Sequence, residues 1–132
     1  MRLLLVEDSA LIRKVTHLAF SQREHELREA ANGVEALAIL AGTLQPFDVI
    51  LLDLQMPDMN GVEFLRALHQ RPAHRATPVV VATRESDTSP LLVEARRLGV
   101  AAVVKKPWKP HELVEVVRQE CGGGRPGKPS ST

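Results

Sequence analysis

The chain has 132 residues, 44% of them hydrophobic and 25% charged, with a net charge of +1 and a single cysteine. That length holds one core rather than two, the near-neutral charge gives no electrostatic case for a nucleic acid or a membrane surface, and Cys121 has no partner for an internal disulfide, as suits a reducing compartment. No stretch approaches the roughly 20 apolar residues of a membrane span and the Leu3 to Val6 run is too short for a signal-peptide core, so a cytoplasmic protein is expected.

Leu3-Leu4-Leu5-Val6 predicts a buried strand that ends on Glu7-Asp8. Ser9 is placed to cap a helix, with Leu11, Ile12, Val15, Leu18 and Ala19 on one face and Arg13, Lys14, His17 and Gln22 on the other. A weaker, more exposed strand over about His25 to Ala30 leads to a turn at Asn32-Gly33. The next helix turns Val34, Leu37, Ala38 and Ala41 inward and ends near Gly42, after which Pro46 delivers the chain to Val49-Ile50-Leu51-Leu52. Four consecutive aliphatic residues mark a strand buried on both faces, the pattern of a parallel sheet between helices, and this one ends on Asp53.

Beyond Asp53, Val62, Phe64, Leu65 and Leu68 predict a helix that stops before Pro72, and Pro78 to Thr83 is another buried strand. Ser89-Pro90 predicts a cap followed by proline at the first helical position, opening a helix with Leu91, Leu92, Ala95 and Leu98 inward and Gly99 at its close. Val100 to Val104 predicts a fifth strand, also buried, running into Lys105-Lys106-Pro107. The last helix starts at Pro110, buries Leu113, Val114, Val116 and Val117, and runs to about Glu120. Residues 121–132 are rich in Gly, Pro and Ser and predict a flexible tail or the start of a linker, leaving 1–120 as the folded domain. The five histidines show no metal-ligand clustering and are expected on the surface.

Strands alternating with helices imply right-handed crossovers and an α/β, doubly wound, five-stranded parallel sheet with helices on both faces. Ligands in such sheets bind outside the carboxyl ends of the strands, and here those ends carry Glu7-Asp8, Asp53, Thr83 and Lys106. Three carboxylates at one edge repel one another unless a cation sits among them. An oxygen-only donor set of that hardness suits Mg²⁺ or Mn²⁺. A carboxylate beside such an ion, with a lysine and a hydroxyl as donors, is equipped to attack phosphorus and hold the resulting phosphoryl group. The chain lacks the glycine-rich phosphate loops of kinases and nucleotide-binding proteins, so the phosphoryl group must come from a small donor or another protein.

The motifs Val6-Glu7-Asp8-Ser9, Leu52-Asp53-Leu54-Gln55-Met56-Pro57-Asp58-Met59-Asn60-Gly61, Ala82-Thr83 and Lys105-Lys106-Pro107-Trp108 resemble the receiver domain of two-component response regulators, over residues 1 to about 120. That resemblance implies a flavodoxin-like strand order of 2-1-3-4-5, a phosphoryl group received from a sensor histidine kinase or phosphotransfer protein, and Mg²⁺-dependent chemistry. It further implies Asp53 as phosphoacceptor, Asp8 as a direct metal ligand, Glu7 reaching the metal through water, the Gln55 backbone carbonyl as another ligand, Lys106 and Thr83 on the phosphoryl oxygens, and a cis bond before Pro107. A signalling protein rather than an enzyme is expected, with self-phosphorylation and autodephosphorylation its only chemistry, and with a downstream protein target docking on about residues 89–120. Two positions depart from the family pattern: Val103 stands where the family often has an aromatic residue, and Arg84 where it usually has a small one.

Other readings start from the same residues. Asp53 could merely cap its turn, Glu7-Asp8 merely open a helix, and Thr83 merely fill a strand. A phosphohydrolase with Asp53 as nucleophile is opposed by Gln55, where dehalogenase-fold phosphatases carry a second aspartate. A flavodoxin-like FMN carrier is opposed by the acidic turn Glu7-Asp8-Ser9-Ala10. A degenerate receiver that keeps the fold and binds partners without phosphorylation is the remaining alternative.

Overall fold

Aliphatic runs form the centre of the molecule because an extended chain of them can be covered on both faces. In the computed structural model, which describes residues 1–20 and 25–122, these runs are strands β1 (Arg2–Val6), β3 (Val49–Leu52) and β4 (Val79–Thr83). Strands β2 (Glu26–Ala30) and β5 (Ala102–Lys105) form the edges. The sheet is parallel throughout, in the order β2-β1-β3-β4-β5. Its register sets Val6 beside Ala30 and Leu52, Leu52 beside Val81, and Thr83 beside Lys105, so the strands finish level with one another.

Parallel neighbours need crossovers, and these are helices α1 (Ala10–Phe20), α2 (Gly33–Ala41), α3 (Gly61–His69), α4 (Pro90–Arg97) and α5 (Pro110–Val117). Alternation along the strands divides the core in two. Leu4, Val6, Ile50, Leu52, Val79 and Val81 pack against Ala36 and Leu40 of α2, Phe64, Leu65 and Leu68 of α3, and Leu92 and Ala95 of α4. Leu3, Leu5, Val49, Leu51 and Val80 pack against Phe20 of α1 and Leu113 and Val117 of α5.

Several expectations are corrected. In α1 the inward residues are Thr16 and Phe20, whereas Leu11 and Leu18 are 71% and 59% exposed. Five apolar positions make a stripe wider than the contact α1 has with the sheet, and Thr16 buries without an unmet donor because its hydroxyl donates to the Ile12 carbonyl. In α2, Asn32 accepts the Glu35 N–H as N-cap and fixes the start, which turns Gly33, Ala36 and Leu40 inward and leaves Val34, Ala38 and Ala41 exposed. Apart from Glu35 in its first turn that helix is apolar, so its sequence carries little period to single out a face. Strand β5 is only half-buried, because it has a neighbour on one side alone. Ser89 makes no cap bond; its hydroxyl donates to the Glu85 carboxylate.

His74 is buried rather than on the surface, with Nε2 placed 3.1 Å from the Leu40 carbonyl and 2.9 Å from that of Thr43, tying the turn after α3 to the end of α2. Gly99 closes α4 at φ +90°, a conformation that favours glycine. Helix α5 passes into a π-helical turn, Arg118–Gly122, so the helical backbone runs two residues past the expected end at Glu120. The remainder of the proposed tail, residues 123–132, and Gln22 lie outside the described residues.

Candidate functional site

Asp53 is the first residue after β3, and its position is set by backbone. Its N–H donates to the Val6 carbonyl at 3.0 Å, and the Glu7 N–H donates to Ala30 at 3.0 Å, which aligns the ends of β2, β1 and β3. The loop beyond Asp53 passes through Asp58 at φ 69° and returns, so that the Gly61 N–H donates to Leu54 at 2.8 Å. A β-carbon on residue 61 would lie 2.8 Å from both the Asp53 carbonyl oxygen and the Leu54 Cα, closer than a side chain can pack. Glycine there lets α3 start against the backbone of Asp53, and the Asn60–Glu63 capping box satisfies its first donors.

Glu7, Asp8 and Asp53 offer carboxylate oxygens that all lie within 4.8 Å of one another. Glu7 and Asp53 are buried and Asp8 is exposed. Lys106, on the chain leaving β5, sends Nζ to 2.8 Å from Glu7 Oε1 and 3.6 Å from Asp53 Oδ1, so its closer partner is Glu7. The other Glu7 oxygen accepts the Ser9 N–H at 3.2 Å, and Asp53 Oδ1 accepts the Gln55 N–H at 3.3 Å. Burial first, and then the Glu7 charge, raises the Asp53 pKa from its ordinary 3.8 to about 7; Asp8 adds to the rise, while Lys106 and the Gln55 N–H oppose it.

Three carboxylates against one ammonium leave an excess of negative charge that a divalent cation would offset, and the donors are all oxygen. Among the described residues neither the Asp8 carboxylate nor the Gln55 carbonyl carries a hydrogen bond. Both are therefore free for ligation. The donor set fits Mg²⁺ or Mn²⁺.

On the other side of the edge, Thr83 is buried and its hydroxyl accepts the Glu85 N–H at 3.0 Å. The Lys106 N–H donates to the Thr83 carbonyl at 2.8 Å, which sets the two residues side by side, and the peptide before Pro107 is cis. Val103 packs against the α2–α3–α4 side of the core. Trp108 packs against the other side and shares a groove with Lys106, Arg84 and Leu11.

Arg13 is a residue that sequence reasoning placed on the polar face of α1. It turns back instead: one guanidinium nitrogen donates to the Glu7 carbonyl at 2.8 Å and the Asp8 carbonyl at 3.2 Å, and Nε lies 3.5 Å from Glu29. A cation in the first turn of a helix that follows an acidic strand end is the signal that could have found it.

Comparison with known proteins places the chain in a family. The family described as the response regulator receiver domain matches residues 3–118. A chemotaxis protein CheY homolog of Campylobacter jejuni is 29% identical over 125 residues, covering 94% of this chain and 95% of the relative. The transcriptional regulatory protein ResD of Bacillus subtilis is 32% identical over 113 residues, but those cover 86% of this chain and only 45% of ResD, so the chain spans less than half of that relative. Among solved structures, the chemotaxis response regulator CheY4 of Vibrio cholerae superposes with a TM-score of 0.80 at 33% identity, covering 89% of this chain and 96% of CheY4. A receiver domain of a signal transduction histidine kinase from Syntrophus aciditrophicus superposes with a TM-score of 0.83 at 27% identity, covering 99% of this chain and 97% of the other.

Proposed function

The chain belongs to the response regulator receiver domain family, and from that premise we propose that it is a phosphorylation-dependent signalling switch in which Asp53 accepts a phosphoryl group from a sensor histidine kinase or a phosphotransfer protein. The observation that carries the proposal is the buried Asp53 carboxylate, within 4.8 Å of the Glu7 and Asp8 oxygens and 3.6 Å from the Lys106 ammonium. A structural ion pair needs one acid. Three clustered acids, two of which share one lysine, at the open edge of a parallel sheet suit a reaction that brings in further positive charge.

In the proposed reaction an Asp53 carboxylate oxygen forms a bond to phosphorus as the bond from phosphorus to the donor's leaving group breaks, and the leaving group takes the electron pair. Asp53 attacks as the anion, so its raised pKa works against the reaction until more positive charge is present. Asp8, Asp53 and the Gln55 carbonyl are the proposed direct ligands of Mg²⁺, with Glu7 acting through water; the ion supplies charge neutralisation for the phosphoryl oxygens when bound. Lys106, held by Glu7, pairs with a phosphoryl oxygen, and the Thr83 hydroxyl donates to another while continuing to accept from Glu85.

Output passes to a protein partner through the surface formed by α4, β5 and α5, about residues 89–120. Among the described residues no helix is long and apolar enough to cross a membrane, and the proposed setting is the cytoplasm. Intact-mass measurement after incubation with Mg²⁺ and acetyl phosphate tests the reading: a phosphoryl adduct is expected on the wild type and not on Asp53→Asn. An adduct on both would overturn Asp53 as acceptor, and a wild type that binds its partner unchanged with no adduct from any donor would favour the degenerate receiver.

A further inference from the structure

The groove beside the site has one apolar wall and one cationic wall. Leu11, Val15 and Trp108 supply the first, Arg84 and Lys106 the second. Lys106 is nearly buried, its side chain 7% exposed, and is already held by Glu7. Arg84 follows Thr83 directly and is exposed. Six arginines among the described residues pair with carboxylates: Arg2, Arg13, Arg66, Arg96, Arg97 and Arg118. The guanidinium groups of Arg28, Arg71, Arg75 and Arg84 have no such partner there, and no carbonyl either, and of these four Arg84 is the one that lines the groove.

The charge present at the site gives that side chain a task. Glu7, Asp8 and Asp53 carry three formal negative charges against the one of Lys106. A divalent cation would bring the sum to neutrality, and a dianionic phosphoryl group on Asp53, which replaces that residue's own carboxylate charge, would then leave it at about minus one. Lys106 is shared between Glu7 and Asp53, so it cannot meet that charge alone. A guanidinium presents paired N–H donors matched to phosphoryl oxygens and stays charged at every working pH.

Building on the reading of Asp53 as acceptor, we propose that Arg84 is a second cationic ligand of the phosphoryl group and sets how readily the site takes phosphate from small anionic donors. It meets the group as the group enters the groove and keeps contact with it once the bond to Asp53 has formed. The opposite role, a long side chain that screens Asp53 from small donors, predicts the opposite sign.

The test follows the rate of adduct formation by intact mass for the wild type, Arg84→Ala and Arg84→Lys, at fixed Mg²⁺ and acetyl phosphate and at low and high salt. Thermal unfolding of each variant confirms that the exposed substitution leaves the fold intact. Arg84→Ala is expected to label about tenfold more slowly, the loss of one charge-assisted hydrogen bond. Arg84→Lys should recover most of the rate, and the deficit of the alanine variant should shrink at high salt, where exposed charge is screened. An alanine variant that labels as fast as the wild type, or faster, overturns the proposal while leaving Asp53 as acceptor. A wild type that takes no label from acetyl phosphate overturns the role of Arg84, and one that takes none from any donor overturns the acceptor reading with it.

Discussion

Glu7 and Asp53, at the ends of β1 and β3, are buried and fixed by backbone, whereas Lys105 and the loop from β4 to α4 are held by side-chain pairs in water. Glu7 and Asp53 sit beneath the surface, their carboxylates accepting the N–H groups of Ser9 and Gln55, their own N–H groups donating to the Ala30 and Val6 carbonyls, and Arg13 donating to the Glu7 carbonyl. Across the edge, Lys105 reaches the Glu85 carbonyl at 2.8 Å and Asp87 at 3.1 Å, and Arg96 reaches the same Asp87 carboxylate at 3.1 Å, all of them exposed. Buried charge is costly and directional, whereas exposed pairs contribute little and rearrange easily. The first half therefore suits a fixed chemical centre and the second a segment that can respond to it.

Removing Lys106, the cation paired with the buried Glu7 carboxylate, should have the largest effect. Lys106→Met keeps the apolar stem but leaves Glu7 buried without a counter-charge, and urea unfolding at pH 7 should show a loss of about 3 kcal/mol. Adding Glu7→Gln to that variant should restore much of the loss, since the uncompensated charge is then gone. A loss as small as those of the exposed pairs would break the contrast.

Asp53 gives the next effect. Folding takes up a proton between pH 3.8, where the unfolded chain releases it, and about 7, where the folded site does. Without a divalent cation, stability should therefore fall as pH rises through that window and stay low above it. Asp53→Asn should flatten this dependence and be about 2 kcal/mol more stable than the wild type at pH 8, read from urea midpoints in chelator. Adding Mg²⁺ should narrow the gap by stabilising the wild type more than the variant, which has lost one of the proposed ligands.

Thr83→Val keeps the shape of a buried residue and removes the acceptor of the Glu85 N–H, for a loss of about 1 kcal/mol. Asp87→Asn belongs wholly to the exposed half and should show the smallest change. Lys105 and Arg96 hold the Asp87 carboxyl below its ordinary pKa, and whatever they contribute should disappear in about 1 M salt.

The site was legible in the sequence because each element of it is a residue type at a strand end, and a parallel sheet brings strand ends together whatever the details of packing. The convergence of Glu7, Asp8, Asp53, Thr83 and Lys106 needed only that, whereas the strand order came from the resemblance of the motifs to a known family. Contacts made by helices were less legible. Leu11 and Leu18 obey the period of a buried face and yet stand in solvent, because period gives the direction of a stripe and not the width of the contact. Val34 is exposed because a helix apolar but for Glu35 can rest on most of its sides, and its N-cap decided which. His74 is buried through two carbonyls more than thirty residues away, and the closer attachment of Lys106 to Glu7 than to Asp53 depends on rotamers that no spacing records.

The central claim is that Asp53 becomes an acyl phosphate. Borohydride reduction after treatment with Mg²⁺ and acetyl phosphate converts such a residue to homoserine, so sequencing of the peptides that carry residues 8, 53 and 58 tests it directly. The account predicts homoserine at position 53 and intact aspartate at positions 8 and 58. Homoserine at either of those positions, or phosphorylated protein with an unmodified Asp53, would contradict it.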